Sequence, residues 1–242
     1  MGGAFLGSQK QPFKKTVFNT IESVFYTIFK QTIVCIPCGR TDTGVNASYM
    51  VFHADFSFLF NHDHLKQRLN NHLINDGIII RSIDLVSDSF HALSSAISRS
   101  YRYFFTFDDS LPNYLLHSVS LLNQKPLFIP TSNDLLFLKG RRNFKFLSNK
   151  SANKSLIREI YSVSLTTQLV EDLFGNSCDI YCFEIVANGF LYRMVRHIVG
   201  LLLHSMVNFT NMDYLKDYII VHRGLSYCLA PAKGLHLIDV KY

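Results

Sequence analysis

Residues 38–58 read C-G-R-T-D-T-G-V-N-A-S-Y-M-V-F-H-A-D-F-S-F, a polar turn followed by alternating apolar residues. The alternation runs from Met50 to Phe58, which is typical of a β-strand with one buried face. The turn before it carries Arg40 and Asp42 between two glycines. Short charged loops held by rigid elements often carry catalytic groups, but Asp, Thr and Gly are also ordinary turn residues. On chemistry alone, a plain turn and a catalytic loop both explain this stretch.

The rest of the chain mixes predicted helices and strands. Apolar spacing predicts helices over residues 16–30, 134–139, 189–208 and 213–221, and from a cap at Asn61 or Asp63 through Leu73. Strands are predicted over residues 32–36, 50–58, 78–86, 99–107, 156–165, 180–187 and 234–242. Because the two kinds of element intermix without regular βαβ alternation, we expect an α+β fold, a mixed sheet with helices packed on it.

The composition is that of a folded chain with a basic surplus. At 242 residues with 48% hydrophobic content, the chain can bury one large core or two small ones. Its 24 Lys and Arg against 18 Asp and Glu suit a polyanionic partner without requiring one. Residues 139–157 lack acidic side chains and, with Arg158, hold seven basic residues: Lys139, Arg141, Arg142, Lys145, Lys150, Lys154 and Arg158. A solvated loop and a polyanion-binding surface both explain this run.

Cysteine usage and hydropathy exclude several classes of protein. Five cysteines, an odd number, without a secretory signal predict a reducing cytoplasm. The pair Cys35 and Cys38 has no second pair at ligand spacing, so we predict no metal site. Charged residues and histidines interrupt the most apolar stretch, 189–209, so it is not expected to span a membrane.

Four groups of motifs, in this order along the chain, carry a family resemblance. The first is G-R-T-D-T-G-V-N-A at 39–47, and the second is F-H-A at 90–92 with S-R-S-Y-R-Y at 98–103. The third is N-G-F-L at 188–191 with M-V-R at 194–196 and I-V-G at 198–200, and the fourth is A-P-A-K-G-L at 230–235. Together they resemble the tRNA pseudouridine synthase A family over nearly the whole chain.

Three features depart from the family pattern. Thr43 and Asn46 stand where the family usually has Ala and His. The turn F-L-G-S-Q-K-Q at 5–11 normally follows a first strand, which this sequence does not contain. Either the sequence begins late or this member lacks that strand, and the sequence alone does not decide between them.

The resemblance implies both an architecture and a reaction. The architecture is a single catalytic unit, residues 1–242, with mostly antiparallel strands and two similar halves around a central basic cleft. Subdomains of about 1–107 and 108–242, and a homodimer, are expected. The reaction is isomerisation of uridine to pseudouridine in tRNA, with positions 38–40 of the anticodon stem-loop as the expected target. No metal or nucleotide cofactor and no membrane are expected, and the cell compartment is expected to be the cytoplasm.

The resemblance also assigns site residues. Asp42 is the essential carboxylate, as a nucleophile or as a base, and Tyr101 is the ring that packs on the uracil. Arg40 would fill the gap left by an everted base or hold a phosphate. We expect Arg196 to lie beside Asp42, because a basic cluster at a helix start needs an anionic neighbour.

Two further expectations concern RNA binding. The basic run would contact the RNA backbone, chiefly through Arg141, Arg142 and Lys145. The alternative function is a tRNA-binding or chaperone-like relative that has lost catalysis.

Overall fold

The computed structural model describes residues 2–148, 155–213, 215–216 and 228–242. Within these ranges the chain forms three α-helices and nine β-strands. The helices are α1 (Val17–Phe29), α2 (His62–Leu73) and α3 (Met194–Asn208). The strands are β1 (Ile36–Pro37), β2 (Asn46–Ala47), β3 (Phe52–His53), β4 (Ser98–Thr106), β5 (Ser120–Leu121), β6 (Gly140–Asn143), β7 (Ile157–Glu171), β8 (Ser177–Ala187) and β9 (Leu235–Lys241).

Seven of these strands form one mixed sheet in the order β2-β9-β4-β8-β7-β6, with β5 beside β4. Strand β4 is antiparallel to β8 and β9, and β7 is antiparallel to β6 and β8. Strand β2 runs parallel to β9, and β5 runs parallel to β4. Strands β1 and β3 form a separate antiparallel pair. The predicted α+β fold with a mixed, mostly antiparallel sheet is confirmed, whereas the two similar halves and the central basic cleft stay predictions.

Helix α3 packs on one face of the large sheet and closes the main core. Its buried side chains share a hydrophobic cluster with those of β4 and β8, among them Met194, Ile198, Tyr103, Phe105 and Phe183. Phe105 stacks on Phe183 with ring centroids 5.3 Å apart. The aromatic row along β4 therefore serves the core at Tyr103 and Phe105, both fully buried.

A second hydrophobic cluster joins α1 and α2 to the alternating apolar residues of 50–60. Thr16 Oγ1 accepts a hydrogen bond from Asn19 N–H at the start of α1, and Asn61 Oδ1 accepts one from His64 N–H at the start of α2. Such caps satisfy backbone donors that have no partner inside the helix. Both predicted helices are confirmed. The division of the chain into two subdomains stays a prediction.

Three predicted strands are wrong in extent. Strand β1 covers only Ile36–Pro37, β3 covers only Phe52–His53, and residues 78–86 contain no strand. At Ile80 the backbone pairs with a side chain instead: Asn70 Oδ1 accepts from Ile80 N–H at 2.7 Å, and Asn70 Nδ2 donates to Ile80 O at 3.0 Å. Alternating apolar residues indicate that one face of a segment is buried, but they do not show that its backbone pairs with another strand. The pattern therefore predicted more strand pairing than these segments have.

Two other boundaries differ from prediction. Helix α3 begins at Met194 and not at Gly189, because Arg193 has φ 59° and an α-helix requires negative φ. The basic run 139–158, expected as a loop, contains β6 and the start of β7. The predicted last helix, residues 213–221, lies largely outside the described residues.

Neither a membrane helix nor a metal cluster is found in the described residues. No helix there combines the length and hydropathy that a bilayer span requires. No three His, Cys, Asp or Glu side chains there lie close enough to hold a metal ion. Cys35 and Cys38 are buried free thiols, and burial raises the pKa of both. These thiols therefore pack as small apolar side chains.

Replacing Gly234 by Ala should destabilise the fold. An added Cβ would lie 2.6 Å from Phe104 O and 2.7 Å from Ser120 Oγ, which is too close for either atom to tolerate. Overpacking of this kind costs about 1–3 kcal/mol. Gly3 is the matched control, because nothing lies within 4 Å of its Cβ position. Urea unfolding should show a lower midpoint for Gly234→Ala and an unchanged one for Gly3→Ala, and equal midpoints would contradict the packing described here.

Candidate active site

The loop that carries Asp42 is held by the turn near the start of the chain. Thr41 N–H donates to Ser8 Oγ at 2.8 Å, and Ser8 N–H donates to Thr41 O at 3.1 Å. Gly7 has φ 86°, and a Cβ there would meet Thr41 O at 2.9 Å. Val17 N–H donates to Gly7 O, so the same turn also meets the first turn of α1. The loop is therefore fixed against a helix.

The carboxylate of Asp42 lies between two arginines from the start of α3. Arg196 Nη1 donates to Asp42 Oδ2 at 3.0 Å, and Arg193 Nε lies 3.5 Å from the same oxygen. The Asp42 side chain is 20% exposed and that of Arg196 is 13% exposed, so water screens the pair only in part. One carboxylate facing two guanidinium groups leaves this corner with a net positive charge.

Arg196 also ties the Asp42 loop to a third part of the chain. Its Nε donates to Ala230 O at 2.8 Å, and Ala230 N–H donates to Arg196 O at 3.3 Å. Because one planar guanidinium binds both the carboxylate and this carbonyl, its orientation is fixed from two sides. The motifs G-R-T-D, M-V-R and A-P-A-K-G-L therefore meet at one guanidinium.

Sequence analysis missed Arg193 as a neighbour of Asp42. Its backbone has φ 59° and ψ 10°, a left-handed conformation that residues other than glycine adopt rarely. This residue is the N-cap of α3, and its guanidinium lies 4.8 Å from the centroid of the Tyr192 ring. The basic cluster at the predicted helix start indicates that some arginine lies near an anionic group. The spacing of these residues does not show which arginine turns toward the Asp42 carboxylate.

His197 follows Arg196 in α3 and is buried. Burial lowers the pKa of His197, and the positive charges of Arg193 and Arg196 lower it further, while Asp42 opposes the shift. The imidazole is therefore neutral at pH 7 and adds no third positive charge beside the two arginines.

Tyr101 lies on the face of β4 that α3 covers. Its ring meets Phe190 edge-on, with centroids 5.2 Å apart. Burial raises the pKa of the Tyr101 phenol above its ordinary value, and Cys38 and Asp42 add to the shift. The phenol is therefore protonated at neutral pH, and Asp42 lies close enough for the two groups to interact. The structure thus brings together Asp42, Tyr101 and Arg196.

Comparison with known proteins finds relatives along the whole chain. A family model described as tRNA pseudouridine synthase matches residues 137–242. The tRNA pseudouridine synthase A of Limosilactobacillus reuteri is 32% identical over 250 aligned residues, which cover all of this chain and 93% of that protein. The chain belongs to the tRNA pseudouridine synthase A family.

Two further relatives carry the same name. The tRNA pseudouridine synthase A of Prochlorococcus marinus is 32% identical over 245 residues, covering this whole chain and 87% of its own length. That of Aster yellows witches'-broom phytoplasma is 28% identical over 242 residues, covering this whole chain and 95% of its own length.

Arg99, in the S-R-S-Y-R-Y motif, is a second residue that sequence analysis missed. Its Nη2 donates to Cys38 O at 2.9 Å and to Leu93 O at 2.7 Å. Its Nη1 donates to Ala96 O at 3.2 Å and to Asn188 O at 3.0 Å. One guanidinium thus fixes the start of the Asp42 loop and the end of β8. The sequence motif includes Arg99, but a motif does not show that backbone carbonyls from other segments are the partners of its side chain.

The two positions that depart from the family pattern differ in environment. Thr43 is exposed. Asn46 is buried, and its Oδ1 accepts from Gly2 N–H at 2.8 Å. Its Nδ2 donates to His117 O at 3.2 Å and to Lys233 O at 3.0 Å. Asn46 therefore joins three parts of the chain, and its amide has a structural role.

The remaining predicted residues do not share one surface. Arg40 is exposed, and no described residue forms an ion pair or hydrogen bond with its side chain. Lys145 is exposed in the turn after β6. Arg141 is exposed on β6 and Arg142 is partly buried, because neighbouring residues of a strand point to opposite faces. Arg141 and Arg142 therefore lie on different sides of the sheet.

The neutral state of His197 should make stability depend on pH. The lowered pKa means that the unfolded chain binds a proton below about pH 6.5 that the folded chain does not bind. Stability is therefore present above that pH and falls as pH decreases, with a slope of up to about 1.4 kcal/mol per pH unit. His197→Gln should remove this part of the slope in urea unfolding between pH 8 and pH 5.5.

His64→Gln is the control, because His64 is exposed on α2 and should leave the slope unchanged. If His197→Gln retained the full pH dependence of the parent protein, the assignment of a neutral His197 would be wrong.

Proposed function

We propose that this protein converts uridine to pseudouridine at positions 38–40 of the anticodon stem-loop of tRNA, with Asp42 as its essential carboxylate. Membership of the family makes the chain a pseudouridine synthase, an isomerase that acts on tRNA. The single observation that carries the residue assignment is the ion pair of Asp42 with Arg196, at 3.0 Å.

The reaction is an isomerisation in which every atom is retained. The bond between uracil N1 and ribose C1′ breaks, the uracil turns, and a bond forms between C5 and C1′. The proton on C5 is lost, and N1 gains one. Because no electron, phosphate or other group is transferred to a second molecule, we propose that the enzyme uses neither a metal nor a nucleotide cofactor.

An ionised Asp42 suits both roles that this chemistry allows. As a nucleophile it would attack C1′ and displace the uracil; as a base it would remove a proton from the sugar. Both roles need a charged carboxylate that the substrate can reach. The Arg196 guanidinium donates a hydrogen bond to the carboxylate, and the 20% exposure of the Asp42 side chain leaves it accessible.

Tyr101 is proposed to pack on the uracil. Stacking of an aromatic ring on a base contributes about 1–3 kcal/mol, which would hold the detached base while it turns. The raised pKa supports a neutral phenol that donates a hydrogen bond. A neutral phenol could relay the C5 proton only if a second group accepted its own proton, and Asp42 is the proposed acceptor.

Arg40 and the basic residues are proposed to hold the RNA. The target uridine has to leave the base stack before the sugar can be reached. Arg40, exposed in the same loop as Asp42, is suited to fill the space left by the everted base or to bind a phosphate. From the basic run we propose Arg142 and Lys145 for the RNA backbone, and not Arg141, because Arg141 lies on the opposite face of the sheet from Arg142.

The working state of the enzyme is proposed to be a homodimer in the cytoplasm, as is expected of its family. Free thiols at Cys35, Cys38, Cys178, Cys182 and Cys228 suit a reducing compartment.

The alternative is a tRNA-binding relative without catalysis, which the changes at Thr43 and Asn46 favour. The hydrogen bonds of Asn46 give that position a structural explanation. A partly buried carboxylate would repel RNA phosphates, so binding alone gives no reason for Asp42. The catalytic function is therefore the better supported of the two.

Replacing Asp42 by Asn should abolish turnover and leave tRNA binding almost unchanged. The amide keeps the shape but neither attacks C1′ nor removes a proton, so release of tritium from tRNA labelled at uracil C5 should fall about 10³-fold or more. Asp63→Asn is the matched control, because its side chain is 96% exposed on α2. Equal release by the parent protein and Asp42→Asn would reject the role of Asp42. No release by either protein, with tRNA still bound, would favour the binding protein.

The two arginines beside Asp42 should differ in importance. Arg196→Gln removes the hydrogen bond to the carboxylate and the link to Ala230, and the rate should fall about 10²-fold. Arg193→Gln removes a longer contact from a side chain that is 36% exposed, and the rate should fall about fivefold or less. Single-turnover rates at saturating tRNA would measure both, and a larger effect at Arg193 would reverse their assigned roles.

A further inference from the structure

Two arginines stand opposite each other at the edge of the large sheet. In the antiparallel pair of β6 and β7, Arg142 is the partner of Arg158. Side chains of directly opposed residues point to the same face and lie close together, and like charges in that arrangement are destabilising. We propose that Arg142 and Arg158 form a binding site for one backbone phosphate of the RNA substrate, which deepens the proposed function and rests on it.

The register places this pair on the face of the sheet that carries the candidate active site. Arg158 lies two residues before Ile160, so the two side chains share a face. Ile160 is paired with Ala187, and Ala187 is paired with Arg99 on β4. Tyr101 lies two residues beyond Arg99 on the same strand. Arginines on β6, β7 and β4 thus form a row on one face that ends beside Tyr101.

The row continues across Gly189, which follows the end of β8. A Cβ on Gly189 would lie 3.7 Å from Arg158 Nε and 4.0 Å from Arg99 Nη1, so the two guanidinium groups flank this residue. Arg99 in turn binds Cys38 O, at the start of the loop that carries Asp42. An RNA strand held at the sheet edge would therefore be directed toward the catalytic carboxylate.

The charges of the pair are not neutralised by the described residues. Arg158 Nη1 donates to Ser155 O at 2.8 Å and to Ile157 O at 2.6 Å, and Arg142 Nη2 lies 3.4 Å from Lys139 O. All three acceptors are backbone carbonyls, and no described carboxylate lies within 4.0 Å of either guanidinium. Burial lowers the pKa of Arg158, and Arg99 lowers it further. An anion bound to Arg158 would favour its charged form and so oppose both effects.

A phosphodiester is the anion that fits this arrangement. The planar guanidinium offers paired N–H donors that match two phosphate oxygens, which makes arginine suited to the RNA backbone. The site carries no base-reading group, so it should hold the backbone without regard to sequence.

Arg141 provides a matched control on the same strand. It is paired with Glu159 and points to the opposite face. Arg141→Gln and Arg142→Gln remove the same charge from adjacent positions, and therefore differ only in the face that loses it.

The experiment measures the Kd of an unmodified tRNA transcript in 50–300 mM KCl for the full chain and its variants. Arg142→Gln should weaken binding about fivefold to tenfold at 100 mM KCl and lower the slope of log Kd against log salt by up to about one unit. Arg141→Gln should stay within about twofold. Because both arginines share one phosphate, Arg142→Gln combined with Arg158→Gln should lower the slope by about one unit in total.

Three outcomes would overturn the proposal: an unchanged slope for Arg142→Gln, equal effects of Arg141→Gln and Arg142→Gln, or a loss of about two units in the double variant. Arg158 binds the carbonyls of Ser155, just before β7, and Ile157, its first residue, so its variants require a check of the folded state by circular dichroism. Arg142→Gln is the decisive single variant, because the only described hydrogen bond of the Arg142 side chain is long, at 3.4 Å.

Tritium release at saturating tRNA separates this proposal from the proposed function. Arg142→Gln should raise KM by a larger factor than it lowers the saturated rate, because the phosphate site holds substrate without touching the reacting atoms. If the parent released no tritium, the proposed reaction would fail, whereas the binding slopes would still decide whether the phosphate site exists.

Discussion

The candidate site depends on the ion pair between Asp42 and Arg196. A partly buried carboxylate is costly unless a cation and hydrogen bonds accompany it. Arg196 supplies both, and its own orientation is set by Ala230 O. Removal of either partner would leave the other charge partly buried without its ion pair. The Asp42 loop and the start of α3 therefore stabilise each other. The turn around Ser8 and the guanidinium of Arg99 then keep the loop in the position that this pair requires.

Backbone carbonyls are the main partners of three arginines on or near the candidate site. Arg99, Arg158 and Arg196 all donate to carbonyl oxygens, and among them only Arg196 has a carboxylate partner in the described residues. Bonds to neutral carbonyls orient a guanidinium without cancelling its charge. The same side chains can therefore organise the fold and still present a positive surface to a polyanion. A chain with a formal charge of only +6 can in this way keep individual arginines available to a polyanion.

Sequence predicted the parts of this structure that local pattern controls. Helices α1 and α2 and the long strands follow from periodicity, because each depends on neighbours in the chain. The predicted strand over 78–86 failed because the side chain of Asn70 takes the place of a strand partner at Ile80. The positions of Arg193 and Arg99 were missed for a related reason: one depends on a single left-handed residue, and the other on carbonyls from distant segments.

The separation of these contacts along the chain has a consequence for folding. Asp42 and Arg196 are 154 residues apart, Cys38 and Arg99 are 61 apart, and Thr41 and Ser8 are 33 apart. Contacts that close such large loops form late, after local helices and the β7–β8 hairpin, because loop entropy opposes them. Strand β4 pairs with β8 and β9 across comparable separations, so the candidate site and the centre of the sheet depend on the same long-range pairing. A chain that held only the local helices and the β7–β8 hairpin would therefore lack the site.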